Sequence, residues 1–138
     1  MNKRQIAQWL DKKRVVNYTI NADLSVDVDG NVDISSKNLT SIPIQFGKVT
    51  GNFYCHNNKL TSLEYCPTHI GVDFYCDNNQ LTSLEHCPTH VGGNFSCDKI
   101  NMSEEVQLWL IAKQVEGMRK INNPIEKAIA LHKMLWEI

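Results

Sequence analysis

The sequence predicts an α/β repeat fold, a small solenoid of short parallel strands that is capped by helices at both ends. Three observations lead to this prediction. The chain repeats itself at an interval of 21 residues, so that FYCHNNKLTSLEYCPTHI from Phe53 returns as FYCDNNQLTSLEHCPTHV from Phe74. Each copy begins with alternating inward and outward positions, as in a strand with one buried face. On both sides of the repeated part, apolar residues follow the spacing of an amphipathic helix.

The repeat divides the chain into three parts. Residues 28–102 hold the coils, of which three are full and a fourth begins at Gly93. Residues 1–27 form an N-terminal cap of one helix and a strand, and residues 103–138 form a C-terminal helical hairpin. Because a single coil cannot bury its own apolar face, the coils must stack, and the atypical first and last coils should close the stack.

Position within a coil predicts which residues face the core. Phe53 and Cys55 should point inward from a short strand. Leu60 and Leu63 should fill the core along the return path of the coil. Between these two pairs stands Asn58, whose amide can bind backbone groups where the chain leaves the strand, and stacked copies would carry it as a ladder.

Each cap has its own sequence signals. Residues 1–14 place apolar side chains on one helical face, which should seal the first coil. Residues 15–28 alternate in polarity and predict a hairpin or an edge strand. Near the C-terminus, Ser103 precedes two glutamates and Pro124 follows an asparagine, which are typical starts of two helices. These two helices should pair as the C-terminal hairpin.

One coil reads F-x-C-x-x-N-x-L-x-x-L, which resembles the L-x-L-x-x-N-x-L core of leucine-rich repeats. The short interval and the proline after Cys66 resemble the bacterial short-repeat subclass, and small proteins of bacteria and their viruses carry similar LTSLE-x-x-P units. The resemblance implies a leucine-rich-repeat solenoid that binds partners on its concave strand face. It also implies a phage or bacterial protein that inhibits or modulates a host protein.

We expect the protein not to be an enzyme. Some bacterial proteins of this subclass carry a separate ubiquitin-ligase domain, but only 36 residues follow Met102 and none of them is a cysteine. No thiol has a visible base and orienting residue around it, which a nucleophilic cysteine would need.

Composition narrows the location and the class of partner. The net charge is −1, so the chain as a whole has no electrostatic attraction to nucleic acid or to an anionic membrane. Residues 1–14 hold five basic residues and one acidic residue, which we interpret as a solvated helix face. No stretch is long and apolar enough for a membrane helix, and the five cysteines follow the repeat. We therefore expect reduced thiols in a cytoplasm, the host cytoplasm for a viral protein.

The first candidate site is the outward face of the strands, where residues differ between coils while the LTSLE and CPTH segments barely vary. Packing accounts for the constant positions, and a partner surface would account for the variable mixture. Tyr54 and Tyr75 should pair on neighbouring strands; tyrosine is frequent where proteins bind proteins, although such pairs also stabilise a sheet by themselves. We predict that this face binds a protein with a basic surface. The predicted contact residues are Asp33, Tyr54, His56, Asp73, Tyr75, Asp77, Ser96 and Asp98.

The second candidate site is the repeated CPTH segment. Cys66, His69, Cys87 and His90 supply the two sulfurs and two imidazoles that tetrahedral zinc accepts. Repeat position explains their spacing without a metal, so we predict a coil corner with no metal and no cofactor. The alternative is a zinc-stabilised module that contacts nucleic acid through the N-terminal helix.

Overall fold

The computed structural model describes residues 1–82 and 84–97, and it shows a β-solenoid of about three turns with parallel strands and one N-terminal helix. In chain order the elements are α1 Lys3–Lys12, β1 Tyr18–Ile20, β2 Val26–Val28, β3 Val32–Asp33, β4 Phe46–Val49, β5 Phe53–Tyr54, β6 His69–Ile70, β7 Phe74–Tyr75, β8 His90–Val91 and β9 Phe95–Ser96.

Each coil contributes two short strands, one to each of two sheets. Sheet I has the order β1-β2-β4-β6-β8, and sheet II has the order β3-β5-β7-β9. All neighbouring strands are parallel except β1 and β2, which form an antiparallel hairpin. Between the two strands of a coil the chain runs so close to the preceding coil that a Cβ at Gly71 would overlap the Thr50 carbonyl oxygen.

The core is a stack of like residues, as the repeat predicted. Three buried phenylalanines, Phe53, Phe74 and Phe95, follow one another through the coils, with centroids 6.1 Å and 5.2 Å apart. Phe46, which lies on β4 and outside this column, packs edge-on against Phe53 with centroids 5.3 Å apart. Burying one such ring stabilises the fold by about 1.5–3 kcal/mol. Leu60 is fully buried beside them. The inward assignment of these positions is therefore confirmed.

The asparagine ladder is also present, and its hydrogen bonds connect coils. The amide of Asn79 donates from Nδ2 to the carbonyls of Cys55 in the preceding coil and Cys76 in its own coil, both at 3.0 Å. Its Oδ1 accepts from the backbone N–H of Leu60 at 3.0 Å. Asn58 makes the equivalent bonds one coil earlier. Because backbone groups inside a coil have no helix or strand partner there, this side chain satisfies them.

Helix α1 closes the first coil. Asn2 and Gln5 form a capping box at its start, in which each side chain accepts a hydrogen bond from the other residue's backbone N–H at 2.9 Å. Ile6 and Leu10 then lie buried against the core. The N-terminal helix and the hairpin predicted for residues 15–28 are both present.

One sequence-based expectation was wrong, and another is not tested. We expected one strand in each coil, and we missed the strands of sheet I that begin at the histidine of each CPTH segment. These strands are two residues long with a single buried residue each, as in β6 and β8, which is too short for a recognisable alternation. The C-terminal hairpin of residues 103–138, and with it the boundary at residue 102, lies outside the described residues.

Candidate protein-binding surface

The outward face of sheet II carries the tyrosine pair that the sequence predicted. Tyr54 and Tyr75 are in register on β5 and β7, with ring centroids 5.2 Å apart and ring planes tilted by 41°. Asp33 on β3 is in register with Tyr54, and Ser96 on β9 is in register with Tyr75. The structure therefore brings four of the predicted contact residues into one row across the sheet.

His56 adds a third ring to the tyrosine pair. Its centroid lies 5.8 Å from that of Tyr54 and 6.3 Å from that of Tyr75, and both contacts are edge-on. We call Tyr54, His56 and Tyr75 the aromatic cluster. The Nδ1 atom of His56 is buried and makes no hydrogen bond with any described residue. Native folds leave few buried polar atoms unpaired, and this one lies within the aromatic cluster.

Carboxylates surround the aromatic cluster. Burial raises the pKa of Tyr54, and the charges of Asp73 and Asp33 raise it further. Burial alone would raise the pKa of Asp33 as well, but two hydrogen bonds that Ser35 donates to its carboxylate, together with the charges of His56 and Lys37, outweigh burial and lower this pKa. Asp33 is consequently ionised at neutral pH, and the rings lie in a negative field that favours a cation.

Asp73 has a second role, which the sequence analysis missed. Asn31, Asn52 and Asp73 occupy the same position in successive coils, and each Oδ1 accepts a hydrogen bond from the backbone N–H one coil later. The distances are 2.8 Å for Asn31 to Asn52, 2.9 Å for Asn52 to Asp73, and 2.8 Å for Asp73 to Asn94. Asp73 therefore supports a coil corner in addition to its charge beside Tyr54. The signal was the column of short polar side chains at this position.

Of the two remaining predicted contact residues, Asp77 continues the row of His56. Asp77 is half-buried and takes the position of His56 one coil later. Its backbone carbonyl accepts a hydrogen bond from the N–H of Asn57 at 2.9 Å, so the parallel pairing continues past the end of β5 and β7. Asp98 lies outside the described residues.

The thiols and imidazoles of the two CPTH segments are not brought together. Cys66 and Cys87 are buried in the core, and burial raises the pKa of Cys87 to about 12. His69 and His90 lie on the outward side of sheet I, where their rings stack with centroids 4.3 Å apart and planes within 10° of parallel. Within residues 1–82 and 84–97, no group of three or more His, Cys, Asp or Glu residues could hold a metal ion.

Sheet I thus has an outward row with a lysine and two histidines that we did not predict. Lys48, His69 and His90 are in register on β4, β6 and β8. Burial lowers the pKa of His69, and the charges of His90 and Lys48 lower it further. The signal for this row was their common position in three successive copies of the repeat. Asp27 on β2 holds the same repeat position, and its Oδ1 accepts a hydrogen bond from the backbone N–H of Lys48 at 2.8 Å, so this row carries mixed charges.

Among the described residues, no helix has the length and apolar character needed to cross a membrane. Comparison of the chain with protein-family models, with curated proteins and with solved structures found no match.

Proposed function

We propose that this protein is a non-enzymatic binding protein of the leucine-rich-repeat type, and that it engages a protein partner through the outward face of sheet II. The observation that carries the proposal is the aromatic cluster with its carboxylates, which lies on an outward strand face instead of in the core. Each tyrosine presents a large, rigid area of contact at a low cost in side-chain entropy. Ring pairs of this kind dominate binding energy when a partner covers them.

The charges around the cluster indicate the chemistry of the partner. A lysine or arginine side chain over the face of a tyrosine gains about 0.5–2 kcal/mol from the cation–π contact. The same cation could pair with the carboxylate of Asp33, which is held ionised. A partner with a basic surface would be attracted to this face during association, and its cations would then contact the tyrosine rings and the carboxylate in the complex.

The resemblance to short bacterial repeats extends the proposal to a biological role. We place the protein among phage or bacterial proteins that inhibit or modulate a host protein in the cytoplasm. A competing site is the C-terminal segment of residues 103–138.

The test is partner binding by matched variants. The parent protein is used to capture a partner from a bacterial lysate, the captured protein is purified, and its affinity is measured by calorimetry. Tyr54→Ala combined with Tyr75→Ala should weaken binding by more than about 2 kcal/mol while the melting temperature changes little. Tyr65→His is the control, because it removes an exposed tyrosine elsewhere and installs the residue that the next coil has there, His86.

Two results would decide against the proposal. Full affinity in the double tyrosine variant would exclude the aromatic cluster as the binding site. Loss of binding after deletion of residues 119–138 from a protein that still folds would then assign the site to the C-terminal segment.

A further inference from the structure

We propose that the free edge of sheet I accepts an acidic, extended segment of a partner protein as an additional β-strand. β1 is the last strand of sheet I, and no described residue pairs with its outer side. A groove of about 680 Å³ runs along this edge between α1 and β1. Its lining residues are Lys3, Arg4, Ala7, Tyr18, Thr19 and Ile20.

The hydrogen-bond pattern of the hairpin shows which backbone groups face the groove. In an antiparallel pair, every second pair of residues exchanges hydrogen bonds, and the residues between them point their N–H and C=O groups away. Asn21 donates to Ser25 at 2.8 Å and Asp29 donates to Asn17 at 3.0 Å, so the bonded pair between them is Thr19 with Asp27.

Tyr18 and Ile20 therefore direct their backbone groups away from β2. Val28 and Val26, which lie opposite Tyr18 and Ile20, confirm this alternation, because their backbone groups point away from β1 and toward the next coil. Val26 donates to Gln45 at 2.8 Å, and Thr50 donates to the carbonyl of Val28 at 3.1 Å. The edge of β1 thus offers two N–H and two C=O groups with the spacing that an added strand requires.

The charge of the groove selects the partner. Lys3 and Arg4 are exposed and form no ion pair with any described residue. They stand in the first turn of α1, which holds no acidic residue. Cations at this end of a helix oppose its dipole and reduce stability, so local helix stability does not explain them. Carboxylates on an added strand would neutralise both side chains.

Other occupants fit the edge less well. In a second copy of this chain, the same edge would bring a second pair of basic residues against Lys3 and Arg4, and like charges would repel. A nucleic acid would satisfy the two cations but offers no regular row of N–H and C=O groups to Tyr18 and Ile20. The inferred site is independent of the aromatic cluster, which has the opposite charge and lies on the other sheet.

The experiment uses the full chain and a strand-length synthetic peptide in which glutamate alternates with threonine or valine. Binding is measured by calorimetry and by hydrogen exchange of single amides in NMR spectra. The amides of Tyr18 and Ile20 should become protected at least about tenfold on binding, whereas that of Thr19, which already bonds to β2, should change little. A peptide methylated on alternate backbone nitrogens should bind at least about tenfold more weakly, since it loses the main-chain bonds but keeps its charge.

Charge variants complete the test. Lys3→Glu combined with Arg4→Glu should weaken binding of the acidic peptide at least about tenfold, and more at low salt. Lys12→Glu combined with Lys59→Glu makes the same change in net charge away from the groove and should have a much smaller effect. Both double variants are compared with the parent by thermal unfolding.

Four outcomes would overturn the proposal. The first is that the peptide fails to bind. The second is that the methylated peptide binds equally well, which would leave electrostatic attraction as the only source of binding. Tighter binding of single-stranded DNA than of the peptide, with the same dependence on Lys3 and Arg4, would identify a nucleic-acid site. Concentration-dependent dimerisation that protects the amides of Tyr18 and Ile20 without peptide would identify a second copy as the occupant.

Discussion

The Asn58 side chain joins two coils, and its replacement by alanine should destabilise the fold by about 3–5 kcal/mol. Its Oδ1 accepts hydrogen bonds from the backbone N–H groups of Lys37 and Leu39, both at 3.0 Å. Its Nδ2 donates to the carbonyls of Ile34 at 2.9 Å and of Cys55 at 3.0 Å. Alanine would leave all four backbone groups without this partner.

The magnitude follows from the burial of these bonds. The side chain of Asn58 is only 8% exposed, so water cannot readily replace the amide. A hydrogen bond contributes about 0.5–1.5 kcal/mol net, and a buried polar group left unpaired costs about 1–3 kcal/mol. Four bonds near the middle of the first range lead to the predicted loss, which is a large part of the stability of a small domain.

Equilibrium unfolding in urea, followed by circular dichroism, measures this loss. Asn52→Ala is the control, because Asn52 is less buried and its Oδ1 accepts one backbone hydrogen bond, from Asp73, so about 1 kcal/mol is expected. Asn58→Asp keeps the acceptor but turns a second oxygen toward carbonyls, so it should be at least as destabilising at neutral pH. That variant should regain stability on acidification, when the protonated carboxyl group can donate. A loss below about 1 kcal/mol for Asn58→Ala, with an unchanged dependence on urea, would refute the reasoning.

Three further predictions follow from burial and from the shifted pKa values. Leu60→Ala should cost about 2–5 kcal/mol in the same urea assay, since Leu60 is fully buried, and a loss under about 1 kcal/mol would contradict its place in the core. The fold holds the pKa of His69 below its usual 6.5, so the unfolded chain takes up this proton first and stability should fall as the pH drops below about 6.5. Thermal unfolding should show a smaller fall in stability between neutral and mildly acidic pH for His69→Asn than for the parent. His86→Asn is the control, because His86 is exposed. Equal falls in stability for both variants would exclude His69 as the cause. Cys66 and Cys87 should react with a disulfide reagent much more slowly in the native protein than in urea, because burial raises both pKa values, and mass spectrometry of the labelled peptides would detect any equal labelling that contradicts this.

The interval of the repeat determined which residues stack on which. Parallel coils in register place each residue beside its copy one coil away, so the phenylalanine stack, the asparagine ladder and the pair of Tyr54 and Tyr75 could all be predicted from position alone. The alternation of Phe53 and Tyr54 then decided which side faces the core. These features depend on spacing and side-chain polarity, which the sequence contains in full.

The tertiary structure decided where the chain turns within a coil, and therefore which way the side chains after the turn point. Tyr65 and His86 have positive φ values of 72° and 67°, a left-handed conformation that bulky residues seldom adopt and that their identity does not predict. The chain turns there, directly before Cys66 and Cys87, and sends these thiols into the core while the following histidine faces outward.

The same lack of local signal hid the other features of the surface. The stacked His69 and His90, the corner bond of Asp73 and the edge position of β1 among the described strands each depend on where one segment lies relative to another. A sequence with a constant repeat indicates which residues become neighbours, because stacked coils place residues one repeat interval apart side by side. It does not state how the two sheets of a coil are angled or which strand ends the sheet, because those are set by backbone torsions and by the packing of α1 on the first coil.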